Sequence, residues 1–322
     1  IGWQYIHFSD NGKKYIYFTG NGFAKGTTII NEKNEKFGPC KGWLDPIFDS
    51  KKEKWASVCK KSQSKYEIIL SNKKKIGPFF WVGSIAFSKN DKVMAYLLKK
   101  KDEKFYLKLE NKLIGPFDFD KVKDLQLDKR GKNWVFTGIK KNRFYFIHNS
   151  KIHGPYYRHL NSISKDEKGF KLYEKGNWAL LAKTSSFENK HILIINGKKM
   201  GVFVNAYLPS FSKNGGKWAF WYGKLKKLNL KWYVRLSDGK EFGPYANPAF
   251  SKYKVYLSEN ANFWAILTEK RLGEYEYIIN GKKYGNQYNM VFGFEHIKGR
   301  KEYFTWFSKK RKNIILNKVF LK

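Results

Sequence analysis

The sequence predicts an all-β fold built from eight copies of one short-stranded unit. Three observations predict it. First, a short apolar segment recurs along the whole chain: Tyr15-Ile16-Tyr17, Trp55-Ala56-Ser57, Met94-Ala95-Tyr96, Trp134-Val135-Phe136, Trp178-Ala179-Leu180, Trp218-Ala219-Phe220, Trp264-Ala265-Ile266 and Tyr303-Phe304-Thr305. Its spacings are 40, 39, 40, 44, 40, 46 and 39 residues, and a fixed period in this range marks a repeat architecture. Second, Gly, Pro and Asn punctuate the chain too often for helices, and no long stretch keeps a helical period. Third, five of the eight prolines sit in one recurring element: Gly38-Pro39-Cys40, Gly77-Pro78-Phe79, Gly115-Pro116-Phe117, Gly154-Pro155-Tyr156 and Gly243-Pro244-Tyr245.

Each copy has four elements in order. Element A is an apolar-Ser step leading into a polar turn, as in Phe8-Ser9-Asp10-Asn11-Gly12, Phe87-Ser88-Lys89-Asn90-Asp91 and Phe211-Ser212-Lys213-Asn214-Gly215. Asn and Gly supply the positive φ that tight hairpins need. Element B is the Trp segment. Element C follows a Lys-rich loop and is β-branched and aromatic, as in Tyr66-Glu67-Ile68-Ile69-Leu70, His191-Ile192-Leu193-Ile194-Ile195 and Tyr275-Glu276-Tyr277-Ile278-Ile279. A second turn (Asn196-Gly197-Lys198-Lys199; Asn280-Gly281-Lys282-Lys283) leads into element D, the Gly-Pro-aromatic run. Proline belongs at a strand start or on an edge strand, so D is the outermost strand.

Four-stranded units of about 40–45 residues repeated four to eight times describe a β-propeller. The reading is therefore one domain over 1–322, an eight-bladed propeller, with repeats 1–42, 43–83, 84–122, 123–161, 162–206, 207–248, 249–290 and 291–322. The alternative is seven blades with one degenerate copy. The fifth copy carries an extra segment, Lys165–Lys175, and the eighth lacks Gly-Pro. The last copy ends at Lys318–Lys322, where a D strand is expected to begin. The opening Ile1-Gly2-Trp3 looks like the tail of a D element, which predicts a clasp between the termini.

The stretch from Phe211 to Phe220, Phe-Ser-Lys-Asn-Gly-Gly-Lys-Trp-Ala-Phe, is similar to the PD40-type WD40-like repeats of TolB-like propellers, differing from them in its third and fourth elements. The Asn-Gly-Lys-Lys-x-Gly-Pro-Tyr type of turn resembles that of a bacterial group of propeller proteins. The resemblance covers all eight copies and implies a fold. TolB-like propellers commonly serve as envelope protein-interaction scaffolds, so for function it implies a scaffold by fold-level analogy alone.

Composition sets the class. With 322 residues, 42% hydrophobic and 18% aromatic, the chain can bury a large core. A disordered tail lacks 27 Phe, 21 Tyr and 11 Trp, and two Cys do not make a disulfide scaffold. No apolar run reaches the roughly 18 residues of a spanning helix. Lys+Arg number 64 against 27 Asp+Glu, a formal net charge of +37, yet only seven of the basic residues are Arg. Lys, Phe, Tyr, Ile and Asn share A/T-rich codons, so genome composition and a polyanionic partner both account for the lysines. In either case the field attracts anionic polymers at low salt.

Site chemistry is sparse. The sequence has no Gly-x-Ser-x-Gly, no His-Glu-x-x-His and no phosphate-binding Gly-x-x-x-x-Gly-Lys-Ser/Thr. Neither catalytic residues, metal ligands nor a cofactor are expected. His153 and His159 flank Gly154-Pro155, and Asp118, Asp120 and Asp124 form the one acidic cluster, beside Lys121 and Lys123. A calcium loop needs more oxygen ligands and a Gly turn, so a charge-balanced loop is the expectation. Cys40 and Cys59 fall on different strands of adjacent units, which favours two buried thiols over a bridge. The chain begins with Ile rather than Met, which fits a removed leader or an excised domain.

In a propeller the A–B and C–D turns share one face, and the D–A and B–C loops share the other. The second set varies, as loops that carry function tend to. Its aromatic and polar members give the candidate binding residues Trp43, Phe80, Trp81, Tyr157, Arg158, His159, Tyr207, Asn247 and Tyr288. Its lysine runs include Lys60-Lys61, Lys99–Lys101, Lys140–Arg143, Lys224–Lys227 and Lys309–Lys312. Aromatics beside a basic rim suit a sugar, an acidic peptide or a single-stranded nucleic acid, and packing under their own loops is the competing account. The leading expectation is a basic, non-enzymatic scaffold of the bacterial envelope, periplasmic or secreted, holding a protein or anionic polymer. The alternatives are a hydrolase, lyase or glycosidase with a central-channel site, and a non-specific nucleic-acid binder.

Overall fold

Apolar runs on either side of a turn that favours positive φ pair as antiparallel neighbours, and this rule builds the whole chain. The computed structural model describes residues 6–8, 14–19, 26–43, 46–49, 54–159, 169–185, 190–226, 229–245, 247–248, 255–271, 274–288, 290–297, 303–310 and 313–320. Among them there is no helix, and so none long and apolar enough to cross a membrane. Eight antiparallel sheets follow one another in sequence.

The first sheet is Ile6–Phe8, Tyr15–Thr19, Thr27–Asn31 and Lys36–Cys40. The second is Gly42–Trp43 with Ile47–Phe48, then Trp55–Ser62, Lys65–Leu70 and Lys75–Phe79. The third is Trp81–Phe87, Met94–Lys99, Phe105–Leu109 and Lys112–Phe117. The fourth is Lys121–Leu127, Trp134–Lys140, Arg143–His148 and Lys151–Tyr156. These four form one compact unit, Ile1–Tyr156.

The other unit, Tyr157–Lys322, holds the remaining four. The fifth sheet is Arg158–His159 with Phe170–Leu172, then Trp178–Lys183, His191–Ile195 and Lys198–Phe203. The sixth is Asn205–Ala206 with Ser210–Phe211, then Trp218–Lys226, Asn229–Leu236 and Glu241–Tyr245. The seventh is Asn247–Pro248 with Tyr256–Leu257, then Trp264–Arg271, Glu274–Ile279 and Lys282–Tyr288. The eighth has three strands, Met290–Ile297, Tyr303–Lys310 and Asn313–Phe320. In the sheets with all four elements the order is A-B-C-D, with D on the edge. Such sheets are the units from which β-propellers are built.

Three expectations shift. Six of the seven passages from one sheet to the next are a single residue long, such as Lys41, Phe80 and Tyr157. Each sheet after the first therefore begins one to four residues before the expected boundary, and most of what reads as D–A loop is the start of strand A. In the fifth copy Phe170–Leu172 is the second half of strand A, so not all of Lys165–Lys175 is insertion. Residues 313–320 of the last copy are strand C, so no D strand begins at Lys318. The clasp predicted at Ile1-Gly2-Trp3 lies outside the described residues.

Strand A is in two short pieces in the second, fifth, sixth and seventh sheets; in the second and sixth a proline, Pro46 and Pro209, stands directly before the second piece and offers no ladder donor. In the third and fourth sheets it runs through, with a register shift at Val82/Ile85 and at Lys123/Gln126.

Strand B reads as a continuous apolar run because both of its faces are covered. On Met94–Lys99, Ala95 and Leu97 pack toward the fourth sheet, and Tyr96 and Leu98 toward the second. The Trp that opens B meets an aromatic from the preceding sheet's strand D: Trp55 with Phe37 at 4.9 Å, Trp134 with Phe117 at 6.3 Å and Trp264 with Phe242 at 4.8 Å. The small residue beside it, Ala56, Ala179, Ala219 or Ala265, is fully buried.

The Gly-Pro bonds of the five D strands that carry the motif are cis. The glycine has its own reason. Gly243 sits at φ +136, and a Cβ there would lie 2.8 Å from the Trp232 carbonyl oxygen on strand C. Only glycine accepts both constraints.

The asparagine of the C–D turn does more than turn the chain. Asn196 takes φ +49, accepts a hydrogen bond from the Trp178 backbone N–H (2.8 Å) and donates to Asn177 Oδ1 (2.7 Å). Asn149 does the same with Trp134 and Asn133, and Asn280 accepts from the Trp264 N–H. Each clamps the start of strand B. Asn196→Gly keeps the left-handed backbone and removes the acceptor, leaving a backbone donor unpaired at a cost of about 1–2 kcal/mol. Urea denaturation of this variant measures the clamp; a change below about 0.3 kcal/mol, the scale on which independent effects merely add, shows that turn propensity alone selects Asn.

Candidate functional site

The antiparallel meander places the D–A links and B–C turns at the same end of each sheet. Trp81 pairs with Lys99 and Gly42 with Lys60, so the first residues of A lie beside the last of B. Between the second and third sheets this end opens into a groove of about 880 Å³.

Its walls come from two strand faces. On the third sheet Tyr96 and Leu98 face it from strand B, Lys108 sits opposite Tyr96 on C, and Leu113 sits opposite Lys108 on D. From the second sheet come Pro78 and Phe79 on strand D, with Lys65 and the B–C turn serines Ser62 and Ser64. Phe80, the single-residue link, lies between them. Tyr96 is buried and Leu113 is 42% exposed, so the floor is closed and the lip is apolar.

The rim is basic. Lys99 ends strand B, Lys100 and Lys101 begin the B–C turn, and the Glu103 N–H closes it on the Lys100 carbonyl (3.0 Å). The Lys100 ammonium stands 4.6 Å from the centroid of Tyr106, a cation–π contact. Lys108 Nζ donates to the Asn111 carbonyl. The acid at the rim, Asp102, accepts from the Tyr106 hydroxyl (2.6 Å) and the Lys104 N–H (3.0 Å). These two bonds, the hydroxyl first, hold its carboxyl below the usual carboxylate range. The same bond to Asp102 pushes the Tyr106 phenol up. The lysines lining the groove, Lys65, Lys99, Lys100, Lys101 and Lys108, thus outnumber the one lining acid, Asp102, which is already hydrogen-bonded; Lys99 pairs with Glu103 at 3.8 Å.

Phe80 is the sequence-predicted residue that this groove takes up, together with the lysine run 99–101. Trp81 turns the other way, its ring edge-on to Phe105 at 5.4 Å. A Cβ on Gly83 would run into its indole, so the glycine makes room for it. Trp43 donates from Nε1 to the Thr27 carbonyl (2.9 Å) and meets Phe18 edge-on. Tyr207 stacks on Trp232 at 5.6 Å. These three rings pack under their own chain. Tyr157, in the other unit, is 39% exposed. Arg158, His159, Asn247 and Tyr288 lie at strand ends, and their side chains fall outside the described residues.

The remaining candidates resolve into structure. Asp118 accepts from Lys140 (2.6 Å) and Lys104 (2.9 Å), and these hydrogen bonds hold its carboxyl down to about 2. Asp120 accepts from the Lys141 N–H, and Asp124 lies 3.6 Å from Lys123. Among the described residues no three His, Cys, Asp or Glu cluster as metal ligands would. His148 and His153 are neighbours in the fourth sheet. Burial holds both below the usual imidazole range, with His153 adding to the effect on His148 and Lys151 to that on His153.

Cys40 and Cys59 are bridged, against the expectation of separate thiols. Their Cα atoms are 5.4 Å apart. The one-residue link explains it: Cys40 ends strand D of the first sheet, and three residues later Trp43 pairs with Cys59 itself.

In the other unit, strand D of the sixth sheet neutralises a lysine of the B–C hairpin. Lys224 Nζ sits 2.9 Å from Glu241 and over the rings of Tyr233 (4.9 Å) and Tyr222 (5.3 Å). Burial, with Glu241 adding to it, pushes the Tyr222 phenol up to about 12.

The chain matches no protein-family description and no curated protein. Among solved structures it is similar to TolB from Acinetobacter baumannii, at 17% identity, over 72% of this chain and 63% of that one, with a TM-score of 0.36. The chain thus spans less than two thirds of TolB. Kuenenia stuttgartiensis hydrazine synthase matches at 9% identity, over 72% of this chain and 75% of that one, with a TM-score of 0.32. A prolyl endopeptidase matches at 9% identity, over 96% of this chain and 55% of that one, with a TM-score of 0.38. Nothing is built on likenesses this distant.

Proposed function

We propose that the protein is a non-enzymatic binding scaffold, a single eight-bladed propeller whose D–A/B–C face holds a protein or an anionic polymer. The observation that carries the reading is the groove between the second and third sheets, which joins an apolar floor to a lysine rim on that face. Apolar and aromatic side chains supply contact area, and the lysines supply attraction and register. The blade count rests on eight sheets that follow the sequence period through nearly single-residue links. The Cys40–Cys59 bridge supports an oxidising compartment, the periplasm or outside the cell.

The test is a salt titration with fluorescein-labelled poly-glutamate, read by anisotropy. Charge attraction alone fades by about 150 mM salt, whereas a built site retains affinity there. Binding is expected to persist at that salt and to fall about fivefold or more in Phe80→Ser, a loss on the scale of one buried apolar contact. Binding that vanishes with salt and ignores Phe80 overturns the reading. Trp43 and Trp81 are unsuitable for this purpose, because their rings belong to the packed interior.

A further inference from the structure

The groove has more specific chemistry than a coat of lysines requires. We infer that it is a docking site for an extended acidic peptide that inserts one apolar side chain between the second and third sheets. This inference rests on the proposed scaffold reading and narrows it to one ligand class.

Charge complementarity argues for the acid. Lys65, Lys100, Lys101 and Lys108 surround the opening, and the carboxylate among them, Asp102, already accepts two hydrogen bonds. A ligand carboxylate meets four ammonium groups with little competition. Lysine presents point charges on flexible stems rather than a planar fork, which suits carboxylates spaced along a mobile chain.

The floor argues for an apolar anchor. Phe79, Phe80, Leu98, Leu113 and Pro78 come from both sheets and line a concave space. An oligonucleotide seeks flat faces on which successive bases stack. Here the rings mix with aliphatic side chains, and the space has the size of a small-ligand or side-chain pocket. Leu113, 42% exposed at the lip, leaves a large apolar side chain open that an anchor side chain would cover.

The open mouth argues for an extended chain. The groove is lined from the B–C ends of two consecutive sheets, by Ser62 and Ser64 of the second and Lys99–Lys101 of the third. Serine hydroxyls serve peptide amides and carbonyls as donor and acceptor alike.

The experiment is selection of a random peptide display library, about 12 residues long to span such a groove when extended, on the intact disulfide-bonded protein at about 150 mM salt. Enriched peptides are then measured by anisotropy against wild type, Leu113→Asp and Lys65→Glu/Lys101→Glu. Labelled oligothymidylate serves as a polyanion without side-chain anchors. The three substituted positions are surface residues, and near-unchanged thermal melting confirms that the variants fold. Enrichment for Asp and Glu around a Leu, Ile, Phe or Trp is expected. Leu113→Asp and the double charge reversal should each weaken these peptides about tenfold, the scale of one well-buried contact.

Selected peptides without acidic bias, or ones that bind Leu113→Asp as well as wild type, overturn the inference. Oligothymidylate that binds as tightly and loses affinity with the same variants also overturns it, yet leaves the anionic-polymer scaffold standing. If neither peptide, oligothymidylate nor poly-glutamate is retained at this salt, both readings fall.

Discussion

Trp221→Ala is expected to destabilise the protein by about 4 kcal/mol, the upper range for a large side chain removed from a core. Trp221 lies on strand B of the sixth sheet, 1% exposed, with Val234 opposite it on strand C. Its ring meets Tyr245 edge-on at 5.9 Å, and it shares a cluster with Trp232, Val255, Trp264, Ile266 and Ile278. The cluster takes residues from both the sixth and the seventh sheets, so no single sheet can close over the hole. Backbone ladders on both sides hold the neighbours apart, and relaxation recovers little of the lost contact. Leu225→Ala on the same strand provides the control. Leu225 is 60% exposed, so its change should stay within about 0.5 kcal/mol. Urea midpoints and slopes for both variants decide the matter. A loss below about 1 kcal/mol in Trp221→Ala would show that this sheet-to-sheet contact contributes no more than an average point change.

The period and the order of elements were readable because they follow local rules. Gly and Asn at turns, β-branched residues on strand C and proline on the edge strand each act within a few residues of themselves. Strand B read as a run with Trp at one end and a small residue next to it, and the cores show why: Trp134 and Phe136 meet the third sheet while Val135 faces away. What could not be read depends on which faces meet. Tyr96 and Leu98 look like any buried alternation, and it takes the second sheet to show that, buried as they are, they also floor an opening. Trp43, Trp81 and Tyr207 run the other way, partly buried against core clusters. They looked like loop aromatics because the single-residue links compress the expected D–A loops almost to nothing. Phe80 escaped that fate by being itself the link.

The same compression makes the disulfide the second large contributor to stability. Bridging Cys40 to Cys59 closes a loop with a sequence separation of 19 residues. Removing that constraint from the unfolded chain is expected to cost about 3 kcal/mol by loop-closure entropy. Both sulfurs are buried, at 1% and 0% exposure, among Ile16, Ile29, Phe37, Trp55 and Ile69. A reductant therefore has to wait for the first and second sheets to separate, and native protein should resist dithiothreitol that reduces it promptly in urea. The variant Cys40→Ala/Cys59→Ala separates constraint from packing, because it loses the bridge while keeping small apolar residues in place. Its urea midpoint should fall, and reductant should then have no further effect on it. Mass spectrometry after alkylation in denaturant supplies an independent reading. Protein matured in an oxidising compartment should take up no alkyl groups until reduced and two afterwards, one for each of its two cysteines. Two additions before reduction would mean free thiols. The strand pairing of Trp43 with Cys59 would then align the two cysteines without joining them, and the stability assigned to the loop would have to come from the cluster around it.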